Sequence, residues 1–337
     1  MQQFHKDKYE VIYAADNLFT PIMGISIISL FENNKDAEEI NLTILDSGIT
    51  RSDKKRIEDI CRRYNRRNPR WIPAVNIEDR LSISVKTDRG SLSQYSRLFL
   101  KDIYSRDTKR VLYLDCDTLV VSSLKRLWNL DLEGNIIAAL KDAFSKLYRN
   151  NINLKKDALM FNSGVMLIDL EKWRNFNVEE QLLKFITSKK GRVQQGDQGI
   201  LNAILSDKTK ILRPNFNALS LMFEMEYEDL IKYRKPVDYY TKDEIMDAVN
   251  NPNIIHFTSG FNIIRPWFEK SNHPRASEWI KYKNISPWKN KSLLSERKPA
   301  YLRLAYKLFY KFPKWLSLEV FGFLQAYVRP ILNRFKY

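Results

Sequence analysis

The sequence predicts an α/β protein built on a largely parallel sheet with helices on both faces. Its 337 residues, 44% hydrophobic and 28% charged, are enough for a sizeable core. Short apolar runs alternate with segments of helical periodicity, the pattern of successive βα units. Carboxylates close two of those runs, at Asp16 and at Asp115 with Asp117. Ligands of parallel sheets gather at such carboxyl ends.

Tyr9 to Ala14 reads as the first strand, ending at Asp16. Thr20 and Pro21 supply an N-cap and a first-turn proline for a helix over 21–33. Ile40 to Leu45 is a second strand, and Ser52 is placed to cap the next helix. There Ile57, Ile60, Cys61 and Tyr64 make one apolar face. Trp71 to Ile77 is expected as a third strand and Val111 to Leu114 as a fourth. Ile136 to Leu140 and the apolar run Gly164 to Leu170 follow, then a helix from Gln195 to Ser206. The polar stretch Lys270 to Lys291 interrupts the pattern. It is expected to part a catalytic body, residues 1–285, from a tail, residues 286–337.

The charge sharpens that division. The formal net charge of +16 calls for an acidic partner such as nucleic acid, anionic lipid or a phosphorylated substrate. Residues 295–337 hold nine Lys or Arg against two Glu, so +7 of the total sits in the last 43 residues. Arg303, Lys307 and Lys311 recur four apart, with Lys314 three beyond, and share a helix face. Leu302, Ala305, Phe309 and Phe312 line another, while Tyr306, Tyr310 and Trp315 suit a lipid headgroup boundary. This is the pattern of a basic interfacial helix, and packing on the body is the other reading. Leu316 to Val328 is more apolar but short, and Glu319 and Gln325 interrupt it.

No run of about 18 apolar residues exists, so no membrane-spanning helix is expected. The amino-terminal MQQFHKDKYE is polar and carries no secretory leader pattern. Cys61 and Cys116 form no metal-ligand spacing and call for no disulfide, so a reducing cytoplasm is expected. No nucleic-acid recognition module is visible, and no such partner is expected.

The chemistry starts at Val111–Thr118, VLYLDCDT, four apolar residues that run into two carboxylates. In an extended strand, residues two apart point the same way with Cβ atoms about 7 Å apart. Asp115 and Asp117 could then approach one hard cation, Mg²⁺ or Mn²⁺, while Cys116 points into the packing. A solvated strand end is the alternative. Further motifs follow in order: FNSGVMLIDLEKW at 161–173, QGDQGILN at 195–202, IHFTSG at 255–260 and RPW at 265–267.

In this series, over residues 9–270, the chain resembles glycosyltransferase family 8, retaining enzymes that include bacterial lipopolysaccharide galactosyl- and glucosyltransferases. The resemblance implies a GT-A fold and a UDP-sugar donor, UDP-glucose or UDP-galactose. It implies Mn²⁺ (or Mg²⁺) held by Asp115, Asp117 and His256. It assigns Asp16 to the uracil, Arg97 to the donor sugar, and Asp142, Asn162, Asp197 and Gln198 to the sugar pocket. Gly260 and Arg265 join the donor-binding set, with Arg265 on a diphosphate oxygen where relatives often carry lysine. Arginine offers a bidentate contact there instead of a point charge.

Two departures matter: Asn17-Leu18-Phe19 stands where the family often has Asn-Tyr, and Gly199 where some members have Asp. Gln198 faces the anomeric carbon in this reading and is a poor nucleophile, which favours front-face attack over a covalent glycosyl-enzyme. Gln198, Asp197 and Arg265 are thus the expected catalytic residues. The expected protein is a hexosyltransferase for a cell-surface glycan or lipid-linked acceptor, peripheral on the inner face of the cell membrane. Glycosylation of a protein is the second reading. A silent sugar-nucleotide-binding protein is a third, against which Asp115, Asp117, His256 and Gln198 together speak.

Overall fold

A computed structural model describes residues 8–86, 92–296 and 299–336. Residues 1–7 of the amino-terminal stretch read for a leader, and Arg297 and Lys298 of the basic tail, lie outside the described residues. The strands are β1 (Lys8–Asp16), β2 (Glu39–Ser47), β3 (Arg70–Pro73), β4 (Arg110–Leu114) and the short β5 (Thr118–Val120). They continue as β6 (Ile137–Lys141), β7 (Phe161–Asp169), β8 (Thr209–Ile211), β9 (Ala218–Leu219) and β10 (Ile254–His256). Seven form one sheet in the order β3-β2-β1-β4-β7-β6-β8. Its pairings are parallel except where β7 runs antiparallel to β4 and β6. The sheet is mostly parallel, as expected. A second sheet, β5-β10-β9, stands beside it.

Strand alternation sorts the side chains into two cores. Val11, Tyr13, Leu112 and Leu114 join one face with the helix Thr20–Glu32, while Ile12, Val111 and Tyr113 join the other with the helix Gly196–Leu205. Residues Thr20 to Phe31 are all buried, because this helix is apolar or small on every side. Gly24 within it meets Trp288: a Cβ there would fall 2.2 Å from the indole.

Several boundaries differ from expectation. The first helix starts with Phe19 at its N-cap, and the Thr20 hydroxyl donates back to the Asp16 carbonyl at 2.9 Å instead of capping. The second helix, Arg51–Arg63, is capped by Thr50, not Ser52, because Thr50 Oγ1 accepts the Asp53 N–H. The third strand stops at Pro73, and Asn76 caps a short helix that begins at Ile77. Proline lacks the N–H a longer ladder needs. The stretch 270–291 carries a helix, Ala276–Asn284, and adds Trp279, Tyr282 and Trp288 to the main core.

The tail is helical: Ala300–Lys311, Lys314–Phe323, a π-helical turn Leu324–Val328, and Arg329–Lys336. Its second helix packs on Tyr227–Arg234, close enough that a Cβ on Gly322 would lie 2.7 Å from the Lys232 carbonyl oxygen. Lys235 pairs with Glu319 at 3.2 Å, and Ser317 Oγ donates to the Phe309 carbonyl at 2.6 Å. Phe309 is buried but Phe312, expected on the same face, is 48% exposed. The first tail helix ends at Lys311, and Pro313 redirects the chain before that face continues. Among the described residues, no helix is long and apolar enough to cross a membrane.

Candidate active site

Strand β4 ends where the candidate site begins. Asp115 N–H bonds to the Gly164 carbonyl at 2.7 Å, and Thr118 N–H returns to the Asp115 carbonyl at 3.2 Å. The pair therefore sits on a tight turn rather than along an extended strand, and the turn folds Asp117 back toward Asp115. Strand β5 leaves this turn and pairs antiparallel with β10, setting Thr118 opposite His256. Phe257 N–H closes the junction on the Asp117 carbonyl at 2.9 Å.

Asp115, Asp117 and His256 each bring a ligand atom within 4.8 Å of the others. His256 Nε2 lies 3.1 Å from Asp117 Oδ1 and 3.7 Å from Asp115 Oδ2. Its other nitrogen, Nδ1, is 2.9 Å from Asn217 Oδ1. The Asn217 amide nitrogen donates to Asn162 Oδ1 at 3.0 Å, which also accepts the Gly164 N–H at 3.0 Å. That network leaves the Asn217 oxygen as acceptor for an Nδ1–H, and Nε2 faces two carboxylate oxygens. A divalent cation satisfies this donor set, and the hydrogen-bonded second nitrogen is how metal-binding imidazoles are oriented. Space is reserved for the group: a Cβ at Gly164 would fall 2.1 Å from His256 Cε1 and 2.8 Å from Asp115 Oδ2.

Arg97 is buried between the carboxylates. Nη1 donates to Asp115 Oδ1 at 3.1 Å and to the Ser163 carbonyl at 2.8 Å, Nη2 donates to Ser163 Oγ at 3.0 Å, and Nε donates to Asp197. Burial alone would lower its pKa; Asp197, with Tyr113 and Asp115 behind it, turns the net shift upward and keeps the guanidinium charged. Its ring-facing side covers Tyr113, whose hydroxyl donates to Asp115 Oδ1 at 2.8 Å. Asp197 thus sits against Arg97. Arg265 Nη1 stands 4.0 Å from Asp117 Oδ2, with the guanidinium 4.8 Å from the Trp267 ring centroid.

A second group adjoins the first. Asp142 Oδ2 accepts from Gln198 Nε2 at 3.2 Å and from Asn162 Nδ2 at 3.4 Å, and Gln198 Oε1 takes the Ser163 N–H at 3.3 Å. These bonds are long for N–H···O contacts, so a ligand's hydroxyl can replace them at little cost. Asn217 joins both groups through Asn162 and His256. Asp16 stands at the end of β1, its Oδ1 accepting the Phe19 N–H at 3.0 Å. Asn17 Oδ1 is turned to the Thr50 N–H at 3.0 Å. Gly260 stands apart from these groups, in a turn where an added Cβ would meet Ile263 and Glu224.

Cys116 takes no part. Its thiol donates to the Ala14 carbonyl at 3.1 Å, and burial, then Asp115, Asp117 and Asp16, push its pKa well above the ordinary thiol value. Sequence reasoning missed Asn217, Tyr113, Ser163 and the steric role of Gly164. Tyr113 was findable, since it lies two residues before Asp115 and alternation sends both to one side.

The sequence pattern of glycosyl transferase family 8 matches residues 10–271. General stress protein A of Bacillus subtilis is 28% identical over 284 residues, 82% of this chain and 94% of that protein. Lipopolysaccharide 1,3-galactosyltransferase of Salmonella typhimurium is 24% identical over 313 residues, 91% of this chain and 87% of that protein. Among solved structures, galactosyltransferase LgtC in complex with donor and acceptor sugar analogues superposes with a TM-score of 0.68 at 25% identity, covering 87% of this chain and 99% of LgtC. The sheet and its helices are those of a GT-A fold, followed by a helical carboxyl-terminal region.

Proposed function

Because the chain belongs to glycosyl transferase family 8, we propose that it moves a hexose, glucose or galactose, from a UDP-sugar to a hydroxyl of a cell-surface glycan or glycolipid, with retention and an α-linkage. The observation that carries this reading is the meeting of Asp115, Asp117 and His256 within 4.8 Å, with Arg265 beside them. Mn²⁺ or Mg²⁺ bound by those three residues would offset the charge that develops on the diphosphate. Arg265 would grip a phosphate oxygen of the leaving group. Asp16 would accept from the uracil. Arg97, held by Asp197, braces Asp115 and the Ser163 backbone at the edge of the sugar pocket.

Asp142, Asn162 and Gln198 would exchange their long mutual bonds for the sugar hydroxyls, and a hydroxyl that left them unpaired would be rejected. Gln198 is a neutral amide, so the acceptor hydroxyl attacks from the face that UDP leaves, and a departing phosphate oxygen takes its proton. The name of the Salmonella relative supports a glycan acceptor. A panel of UDP-sugars with Mn²⁺, scored for UDP release, tests the reading: one of UDP-glucose or UDP-galactose should be turned over. Silence with every UDP-sugar sinks it.

The tail fits an anionic membrane surface through residues 295–337. Docking leaves Tyr301, Leu304, Tyr310, Trp315, Leu332 and Phe335 between 58% and 85% exposed. Lys307, Lys311, Arg334 and Lys336 are exposed with them. Such a surface suits anionic headgroups and the acyl boundary beneath them. The enzyme would then work at the inner face of the cell membrane. Trp315→Ser with Phe335→Ser should reduce cosedimentation with phosphatidylglycerol vesicles by about tenfold while thermal stability holds. Equal cosedimentation of parent and variant would exclude the tail as the contact.

A further inference from the structure

The loop between His256 and Arg265 is held from two sides, neither of which is needed to form the cation site. From within the body, Glu224 receives three successive backbone donors: Phe261 N–H at 2.9 Å, Asn262 N–H, and Ile263 N–H at 3.0 Å. The turn is tight enough that a Cβ on Gly260 would lie 2.4 Å from the Glu224 carboxylate and 2.3 Å from Ile263. From outside, the tail closes on Phe261. Its ring centroid lies 4.8 Å from those of Tyr306 and Phe309, 5.5 Å from Tyr233 and 6.0 Å from Phe321. The next residue bonds to the same helix, with Asn262 Nδ2 donating to Tyr310 Oη at 2.8 Å.

Three residues separate Phe261 from Arg265, and over that span Asn272 fixes the backbone again, accepting the Ile264 N–H at 2.6 Å. Arg265 itself rests on Trp267, which meets Phe257 edge-on beside His256. The path from tail to diphosphate contact is therefore a chain of packed rings and backbone bonds. The tail also touches the other wall of the site. Ser145 Oγ donates to the Ala326 carbonyl and Tyr148 Oη to the Gln325 carbonyl at 3.1 Å, just beyond Asp142. A helical appendage serving only as an anchor has no need to grip both walls.

We propose that Phe261, seated in the aromatic cage of the C-terminal helices and anchored at its backbone by Glu224, is a positioning residue that sets Arg265 for the donor diphosphate. The inference rests on the donor-site reading above. It makes the tail part of the reaction apparatus, since a phosphate-gripping group misplaced by about an ångström can slow a reaction roughly a hundredfold.

The test uses full-length Phe261→Ala, Phe261→Leu and Tyr306→Leu, alone and with Arg265→Ala. UDP affinity with Mn²⁺ is measured by calorimetry, donor KM and kcat by UDP release, and folding by thermal melting. Phe261→Ala should weaken UDP and raise donor KM by about tenfold, with Phe261→Leu recovering most of the loss and Tyr306→Leu a milder copy. In the Arg265→Ala background Phe261→Ala should add less than about twofold, because the two act through one contact. The same factor in both backgrounds, or a lower melting temperature with UDP affinity unchanged, would overturn the inference. A parent protein that binds no UDP with Mn²⁺ would instead remove the donor-site reading on which it stands.

Discussion

Asp117→Asn is expected to lower glycosyl transfer by about a thousandfold, the loss of roughly 4 kcal/mol of the charge stabilisation proposed at a donor diphosphate. The substitution is nearly isosteric; it removes the charge and turns one acceptor oxygen into an NH₂ donor. Asp117 faces both His256 Nε2, at 3.1 Å, and Arg265, at 4.0 Å, so its carboxylate stands between the imidazole and the guanidinium. An amide there leaves the turn and the β5–β10 pairing untouched, since those rest on backbone groups. Circular dichroism should therefore match the parent while the Mn²⁺ dependence of UDP release moves to much higher concentration. An Asp117→Asn protein as active as the parent would contradict both the cation site and the reaction assigned to it.

Asn217→Ala is the second large effect. It removes the acceptor of His256 Nδ1–H and the donor to Asn162 Oδ1 together, at a position with no solvent access. Metal affinity should fall about 10- to 100-fold, as when other second partners of ligating histidines are lost. Asn217→Asp separates the two ends. It keeps an oxygen on His256 but loses the amide that orients Asn162, so Mn²⁺ affinity should be largely retained while donor KM rises. Mn²⁺ titrations of both variants, followed by donor kinetics, check this. Tight Mn²⁺ binding by Asn217→Ala would show that His256 needs no such orientation.

Much of the site was legible because its residues sit in distinctive local contexts. Asp115 and Asp117 close an apolar strand, and His256 follows two isoleucines, Ile254 and Ile255. The geometry was less legible. The pair reads as a strand because the sequence cannot reveal the Asp115–Thr118 turn, which depends on β5 finding β10 more than 130 residues later. Asn217 was hidden for a related reason. It lies in a 3₁₀ turn, Pro214–Asn217, where proline and asparagine signal a bend regardless of what the side chain meets.

The tail illustrates the reverse ambiguity. Aromatic and basic residues at helical spacing look alike whether the partner is lipid or protein. Phe309 and Leu318 turn inward, while Leu304, Leu308 and Trp315 stay outside. Only the complementary surface of Tyr227–Arg234, and the absence of a side chain at Gly322, decide which. The fold class suffered no such uncertainty, because strand and helix periods are written locally and repeated along the chain. The cap at Thr50 and the stop at Pro73 moved element ends by a few residues without moving any strand out of the sheet.

The division between the two sheets has a consequence of its own. Asp115 hangs from the large sheet at the end of β4, His256 belongs to the small one, and Asp117 lies in the turn that joins them. An ion taking all three as ligands would act as a rivet across a structural seam. The same event that prepares the protein for its donor would then stiffen it, so that occupancy of one small site governs both readiness and endurance.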